Sequence, residues 1–206
     1  MPDTSHALFE YTRVYLAVFY TCVALFYTLR IVTATRQTHK AQVFTGPALS
    51  STWWNHSAFR FFRTTIWMVC VFRVFFPELD TYLVLFKGLE YDALLLTGLL
   101  FLTTGFVCTV ILNLKMGDIW RSGIDPSGPN KLITSGAFSY SRNPMFLCVA
   151  LAQLGFFFAL PSLFSLVCLA IGLTALYRQV LSEEAHLTAR FSGAYLSYQQ
   201  NVRRWL

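Results

Sequence analysis

Residues 143–177 carry no charged side chain. As one α-helix they would run about 50 Å, well beyond the ~30 Å hydrocarbon core of a bilayer. Leu160-Pro161-Ser162 falls near the middle of the stretch. Proline removes a helix donor and restricts the residue before it. The segment therefore reads as two apolar helices joined by a tight turn, a hairpin that a soluble domain could not cover. Composition agrees: 55% of residues are hydrophobic and only 13% charged, with a mean hydropathy of +0.51, whereas a soluble domain averages roughly 25% charged.

Other apolar runs complete the plan. Residues 14–29 are uncharged and end at Arg30, and residues 93–114 form a clean span. Residues 64–76 contain only Arg73, so a span there borrows residues 59–62 and lets Arg60 and Arg63 snorkel to the surface. The expectation is an all-α integral membrane protein of about five transmembrane helices, closing with a C-terminal helical hairpin. No acidic residue lies between Glu10 and Glu78, where Arg30, Arg36, Lys40, Arg60 and Arg63 fall. The positive-inside rule puts that connection in the cytoplasm. Glu78, Asp80, Glu90 and Asp92 face outside. Lys115, Arg121, Lys131 and Arg142, and then Arg178, Arg190, Arg203 and Arg204, return the third connection and the C-terminus to the cytoplasm. Five spans then leave the N-terminus outside.

The net charge of +6 reads as topology charge plus attraction to anionic headgroups, with no nucleic-acid partner. The five cysteines lie in or near the spans with no metal-ligand spacing, and read as small buried hydrophobes. The first apolar run lacks a basic leader and reads as a retained span.

Chemistry concentrates after residue 115. Residues 116–130 are rich in Gly, Pro, Asp and Ser, the composition of a structured loop. Such a loop can offer bare N–H and C=O groups to a flat polar ligand, or merely connect two helices. Asn143-Pro144 starts a helix. Arg142, held just before it beside Tyr140, serves as an interfacial snorkel or as a bidentate anchor for a carboxylate or phosphate. Glu183-Glu184 sits just beyond the last span. Neighbouring helix residues point about 100° apart, so one glutamate can face the loop while the other faces water. Two carboxylates near a helix end are unfavourable unless the helix continues or a cation partners them. Glu183 and His186 form a single Glu-x-x-His pair; with no second copy, it carries no metal assignment.

The blocks Leu132-Ile133-Thr134-Ser135-Gly136, Arg142-Asn143-Pro144-Met145-Phe146 and Glu183-Glu184, followed by Phe191, Tyr195, Tyr198 and Trp205, resemble the isoprenylcysteine carboxyl methyltransferase and phospholipid methyltransferase superfamily of integral-membrane enzymes. The resemblance runs from about residue 116 to the end. It implies S-adenosylmethionine as methyl donor, bound on the cytoplasmic side, and a lipophilic acceptor that enters from the bilayer. It implies one domain over 1–206, with N-terminal spans in 1–114 and the catalytic, cofactor-binding region in 115–206. Carried over, Leu132, Ile133, Thr134 and Gly136 belong to the adenosyl-binding loop. Tyr140, Asn143 and Pro144 line the cofactor pocket, with Tyr198 a further lining candidate. Arg142 orients the acceptor, and Glu183 or Glu184 meets the cofactor or the reacting centre. The chain departs from the family pattern: Asn143 replaces the usual His, Phe146 a Tyr, Cys148 a Gly, and Ser192 the Gly common after the tail Phe. These changes bear on the acceptor more than on the donor: carboxylate, thiol and amine all stay open. Two rival readings stand beside this one: a nicotinamide-dependent membrane reductase of the sterol reductase type, and a non-catalytic membrane protein on the same fold.

Overall fold

The computed structural model describes residues 4–39 and 41–206; Lys40, counted above among the cytoplasmic charges, lies outside the described residues. The chain forms helices α1 (Thr4–Thr38), α2 (Ser51–Phe75), α3 (Asp92–Met116), α4 (Pro144–Ala159), α5 (Leu163–Phe191) and α6 (Gly193–Asn201). Two short strands, β1 (Val43–Phe44) and β2 (Ser122–Gly123), complete the elements used below.

The connections meet in sets at opposite ends of the bundle. At one end β1 pairs with β2 in parallel, Val43 beside Ser122 and Phe44 beside Gly123. This ties the α1–α2 connection to the α3–α4 loop, a contact that loop composition did not foreshadow. Gly123 is obligatory there: its φ is +90°, and a Cβ would lie 1.9 Å from the Phe44 carbonyl oxygen. At the other end Leu85 bridges Ser162, and the Phe86 N–H donates to the Pro161 carbonyl at 2.8 Å. Arg13, near the start of α1, reaches Asp80 at 2.8 Å at that same end. The five long helices therefore alternate in direction.

The hairpin forms where proline places it. Ser162 caps α5 in a reciprocal box with Ser165, satisfying the backbone donors that Pro161 leaves at the turn. Against α3, α4 packs through glycines. A Cβ on Gly98 would sit 2.3 Å from the Ala159 nitrogen, one on Gly155 2.3 Å from the Leu102 nitrogen, and one on Gly105 2.6 Å from the Cys148 oxygen. Helices that lack a water-driven force between them rely on such small-residue seams for close van der Waals contact. Leu16, Cys70, Leu99, Leu102, Phe156 and Cys168 fill the centre.

Three helices, α1, α3 and α5, are long and apolar enough to cross a membrane. Helix α4 is apolar but has 16 residues, about 24 Å of rise, and α2 carries Arg60, Arg63 and Arg73. The all-α membrane fold thus holds, with three candidate spans and one shorter apolar helix among the described residues where about five spans were expected. Apolar stripes face outward, as on α1, where Val14, Val18, Leu25 and Leu29 are each more than half exposed. That arrangement suits lipid rather than water. Helix α2 begins at Ser51, earlier than the apolar pattern suggested, because the Ser50 hydroxyl accepts the Trp53 N–H and caps it. Arg73 does not snorkel. It is 1% exposed and pairs with Asp80, which also holds Arg13.

Candidate active site: a cavity from the helices to the loop

A cavity of about 1140 Å³ opens between the helices and the β1–β2 end. Its inner part is aromatic, walled by Phe19, Tyr20, Phe62, Phe106 and Phe156. Its outer part is polar and is formed by the α3–α4 loop, with Asp125, Asn130 and Lys131, facing Glu183 and His186 on α5. Leu132 and Ile133 line it as well, as do Arg142, Asn143, Pro144 and Tyr198. Thr134 and Gly136 are exposed and do not line it, nor does Tyr140, which is 78% exposed. The chain turns outward after Ile133 into the short helical turn Gly136–Ser139, from which Phe138 alone reaches back to the cavity, and returns at Ser141.

The two glutamates part company because α5 continues through both of them. Glu184 points into a knot of donors. Arg142 Nε and Nη2 reach its two oxygens at 3.3 and 3.4 Å, Arg204 Nη2 donates at 3.0 Å, and Asn143 Nδ2 donates at 3.0 Å. Burial alone would raise this carboxyl, but hydrogen bonds from Arg204 and Asn143 and the charges of Arg142 and Arg204 outweigh it and hold the group below its ordinary range. Arg142 Nη1 also donates to the Gln199 and Val202 carbonyls at the end of α6, and the Arg142 N–H donates to the Arg203 carbonyl. The knot thus fastens the C-terminal tail across the start of α4. Asn143 occupies the N-cap position of α4 but makes no side-chain cap bond. Its amide is spent on Glu184 and on the Arg204 carbonyl, while Pro144 begins the helix.

Glu183 faces the cavity, past the uncharged run of α5 that ends at Tyr177. Its hydrogen-bond partner among the described residues is Gln179, whose Nε2 donates at 2.9 Å. The surrounding protein pushes its carboxyl up to about 7, with the Gln179 bond opposing. One turn on, His186 Nε2 is buried without a hydrogen-bond partner. Glu183 and His186 thus bring partly unused polar capacity to the cavity wall, with the His186 ring packed beside Gly128. Tyr198 donates its hydroxyl to the Phe138 carbonyl at 2.5 Å, so it braces the loop against α6 while its ring closes the cavity.

Sequence reasoning passed over the contribution of α1 and α2. Tyr20, Tyr27, His56, Arg60 and Arg63 all line the cavity. The signal was present: His56, Arg60 and Arg63 fall at i, i+4 and i+7, one face of a helix. Read singly, the histidine was uninformative and the arginines were topology charges.

The fold and cavity define the class first: a helical membrane protein with an apolar chamber opening into a polar, loop-built vestibule. The model of the phospholipid methyltransferase family matches residues 93–194, from the start of α3 into α6, a span that holds the loop, the hairpin and both glutamates. That segment matches the phospholipid methyltransferase family, part of the isoprenylcysteine and phospholipid methyltransferase superfamily. The match suggests a methyltransferase working on membrane lipid-type substrates. Comparisons with curated proteins and with solved structures gave no match.

Proposed function

We propose that this protein transfers the methyl group of S-adenosylmethionine to a lipophilic acceptor at the cytoplasmic membrane face. The observation that carries this reading is the single cavity that joins an aromatic, membrane-level chamber to a polar vestibule containing Glu183. The residues fit the cofactor. Glu183, whose carboxyl has one hydrogen-bond partner among the described residues, and His186, whose Nε2 is buried without one, both line the cavity, and Leu132 and Ile133 bring backbone and apolar surface to it. Glu183 would meet the cationic part, and the 132–133 strand of loop with Asn143, Pro144 and Tyr198 would enclose the adenosyl part. Thr134, Gly136 and Tyr140, turned outward, would act by shaping the loop.

S-adenosylmethionine supplies a methyl carbon on a sulfonium that departs as a neutral thioether. The protein's work is alignment and exclusion of water. Arg142 and Glu184 hold the tail and the start of α4 in place around the reacting groups and serve as positioning residues. An anionic acceptor, carboxylate or thiolate, attacks through its own lone pair and needs no base. An amine acceptor arrives as an ammonium, and Glu183, titrating near neutrality, takes its proton before attack. Five passes with the N-terminus outside put the vestibule and C-terminus in the cytoplasm, and the whole chain acts as one catalytic domain.

The test is binding of S-adenosylmethionine, S-adenosylhomocysteine and NADPH to the detergent-purified chain, followed by incubation with radiolabelled methyl donor and extracted membrane lipids. Saturable binding of both adenosyl ligands, weakened in Glu183→Ala, with label recovered in the lipid phase, is the expected result. Binding of NADPH alone would replace this reading with a reductase.

A further inference from the structure

We propose that Arg60 and Arg63 of α2 form the anchor for an anionic headgroup on the acceptor. This rests on the methyltransferase reading and names the acceptor's chemistry more closely. Arg142, the anchor that the sequence suggested, is spoken for: its guanidinium is divided between Glu184 and two α6 carbonyls. Of the other cavity cations, Arg121 bonds Gln42 and lies 3.8 Å from Asp125, and Lys131 is an exposed loop residue of the polar vestibule, away from the aromatic chamber wall of α1 and α2. Arg60 and Arg63 line the cavity and make no ion pair among the described residues.

Both arginines are solvent-exposed where they line the cavity, and three further observations bear on the pair. The Arg63 guanidinium lies over the Tyr27 ring at 5.5 Å, which holds it against the α1 wall of the cavity. Arg63 and Tyr20 also border a second, smaller pocket between α1 and α2, so the cation stands where the chamber adjoins the lipid-facing side. His56, one turn before Arg60, has a buried Nδ1 with no partner. Its pKa lies below the ordinary value, through burial first and then the nearby charges of Arg60 and Arg63. This corner therefore holds positive charge that no carboxylate among the described residues pairs with, beside an aromatic chamber suited to an acyl or prenyl chain. A phosphate or carboxylate on an amphiphile matches it, and two guanidinium forks provide the geometry to bind either. Glu183, across the cavity on α5, keeps the opposite sign for the cofactor's cation. The two wall charges thus sort the two substrates.

The full chain in dodecyl maltoside is titrated with dodecyl phosphate, with laurate, with dodecyltrimethylammonium and with inorganic phosphate, reading tryptophan fluorescence and melting temperature. S-adenosylhomocysteine affinity is measured in parallel. Saturable binding of an anionic amphiphile, weakened about tenfold for each arginine removed in R60Q and R63Q, is expected, with S-adenosylhomocysteine affinity unchanged. Dodecyl phosphate against laurate separates the two headgroups, and inorganic phosphate shows whether the chain is needed. Control variants R36Q and R178Q, whose arginines lie outside the cavity, should bind as wild type. Equal loss in the controls would reduce the effect to bulk charge attraction and overturn the proposal. Loss of S-adenosylhomocysteine instead of amphiphile would overturn it by assigning the pair to the cofactor's carboxylate. If the glutamine variants fold poorly, R60K and R63K keep the charge without the fork; unchanged amphiphile affinity in them and in either glutamine variant that folds would also overturn it. Failure of the wild type to bind any adenosyl ligand would sink the methyltransferase reading while leaving the amphiphile titration to judge this one.

Discussion

Replacing Glu184 with alanine separates architecture from chemistry in the glutamate pair. The carboxylate is 5% exposed and accepts from Arg142, Asn143 and Arg204 at 3.0–3.4 Å. Removing it strands two cations. Breaking a buried pair costs about 3–5 kcal/mol. The Arg204 side chain is 34% exposed, so its share is screened and falls toward the ~0–1 kcal/mol of a surface pair. The Arg142 side chain, 11% exposed, keeps most of the penalty. A loss of about 3 kcal/mol follows, equivalent to a fall of roughly 6–12 °C in Tm for a domain of this size. Glu183→Ala removes only the Gln179 bond, worth about 0.5–1.5 kcal/mol, and should shift Tm by roughly 1–6 °C. Thermal unfolding of detergent-purified protein, followed by tryptophan fluorescence, measures both. Adding Arg204→Ala to Glu184→Ala should cost less than the sum of the single changes, since the stranded cation is then gone. If Glu184→Ala melts with the wild type while Glu183→Ala collapses, the assignment of the clamp to one glutamate and the cavity to the other is wrong.

Other expectations follow from the same geometry. With Glu183 at about 7 in the free protein, only its ionised form attracts a cationic ligand. S-adenosylmethionine affinity should level off above that pH and fall by up to about tenfold per unit below it, and calorimetry should find the slope abolished in Glu183→Gln. The same raised carboxyl binds a proton more readily folded than unfolded, so its ionisation weakens the fold as pH rises from the ordinary glutamate range through about 7. Glu184 works in the opposite sense. Its pKa is depressed, so the clamp's contribution is complete above the unfolded glutamate range and is lost as pH falls through the lower folded value, which an acid titration of Tm resolves. Gly155→Leu forces a side chain onto the Leu102 backbone, since even its Cβ would sit 2.3 Å from that nitrogen. It should lose at least ~1–3 kcal/mol, and a variant with wild-type Tm would refute the close α3–α4 seam. Ser192 has φ +43° and ψ −117°, a conformation that favours glycine. Ser192→Gly should therefore raise stability by about 1 kcal/mol, visible as a higher Tm.

Residue order alone determined much of the molecule. The uncharged run of 143–177 and its proline dictate a helical hairpin, because no other backbone satisfies its polar groups in lipid. The blocks at 132–136, 142–146 and 183–184 marked the methyltransferase segment because local spacing survives in sequence. Ser192 stood out there as a missing glycine, and its positive φ explains why that position favours one. Tertiary structure decided the rest. Adjacent glutamates look alike in sequence, and only the packing of α5 beside Arg142, Asn143 and Arg204 makes one a structural clamp and leaves the other facing the cavity. Arg73 could not be distinguished from a snorkelling residue until Asp80, seven residues on, was found to hold both it and Arg13 of α1. Arg60 and Arg63 counted only as topology charges until the bundle folded their helix face onto the cavity. Charge and hydropathy are properties of single residues and short windows. Which charges find partners, and which are left over to meet a ligand, depends on contacts between residues as many as 79 positions apart in the chain.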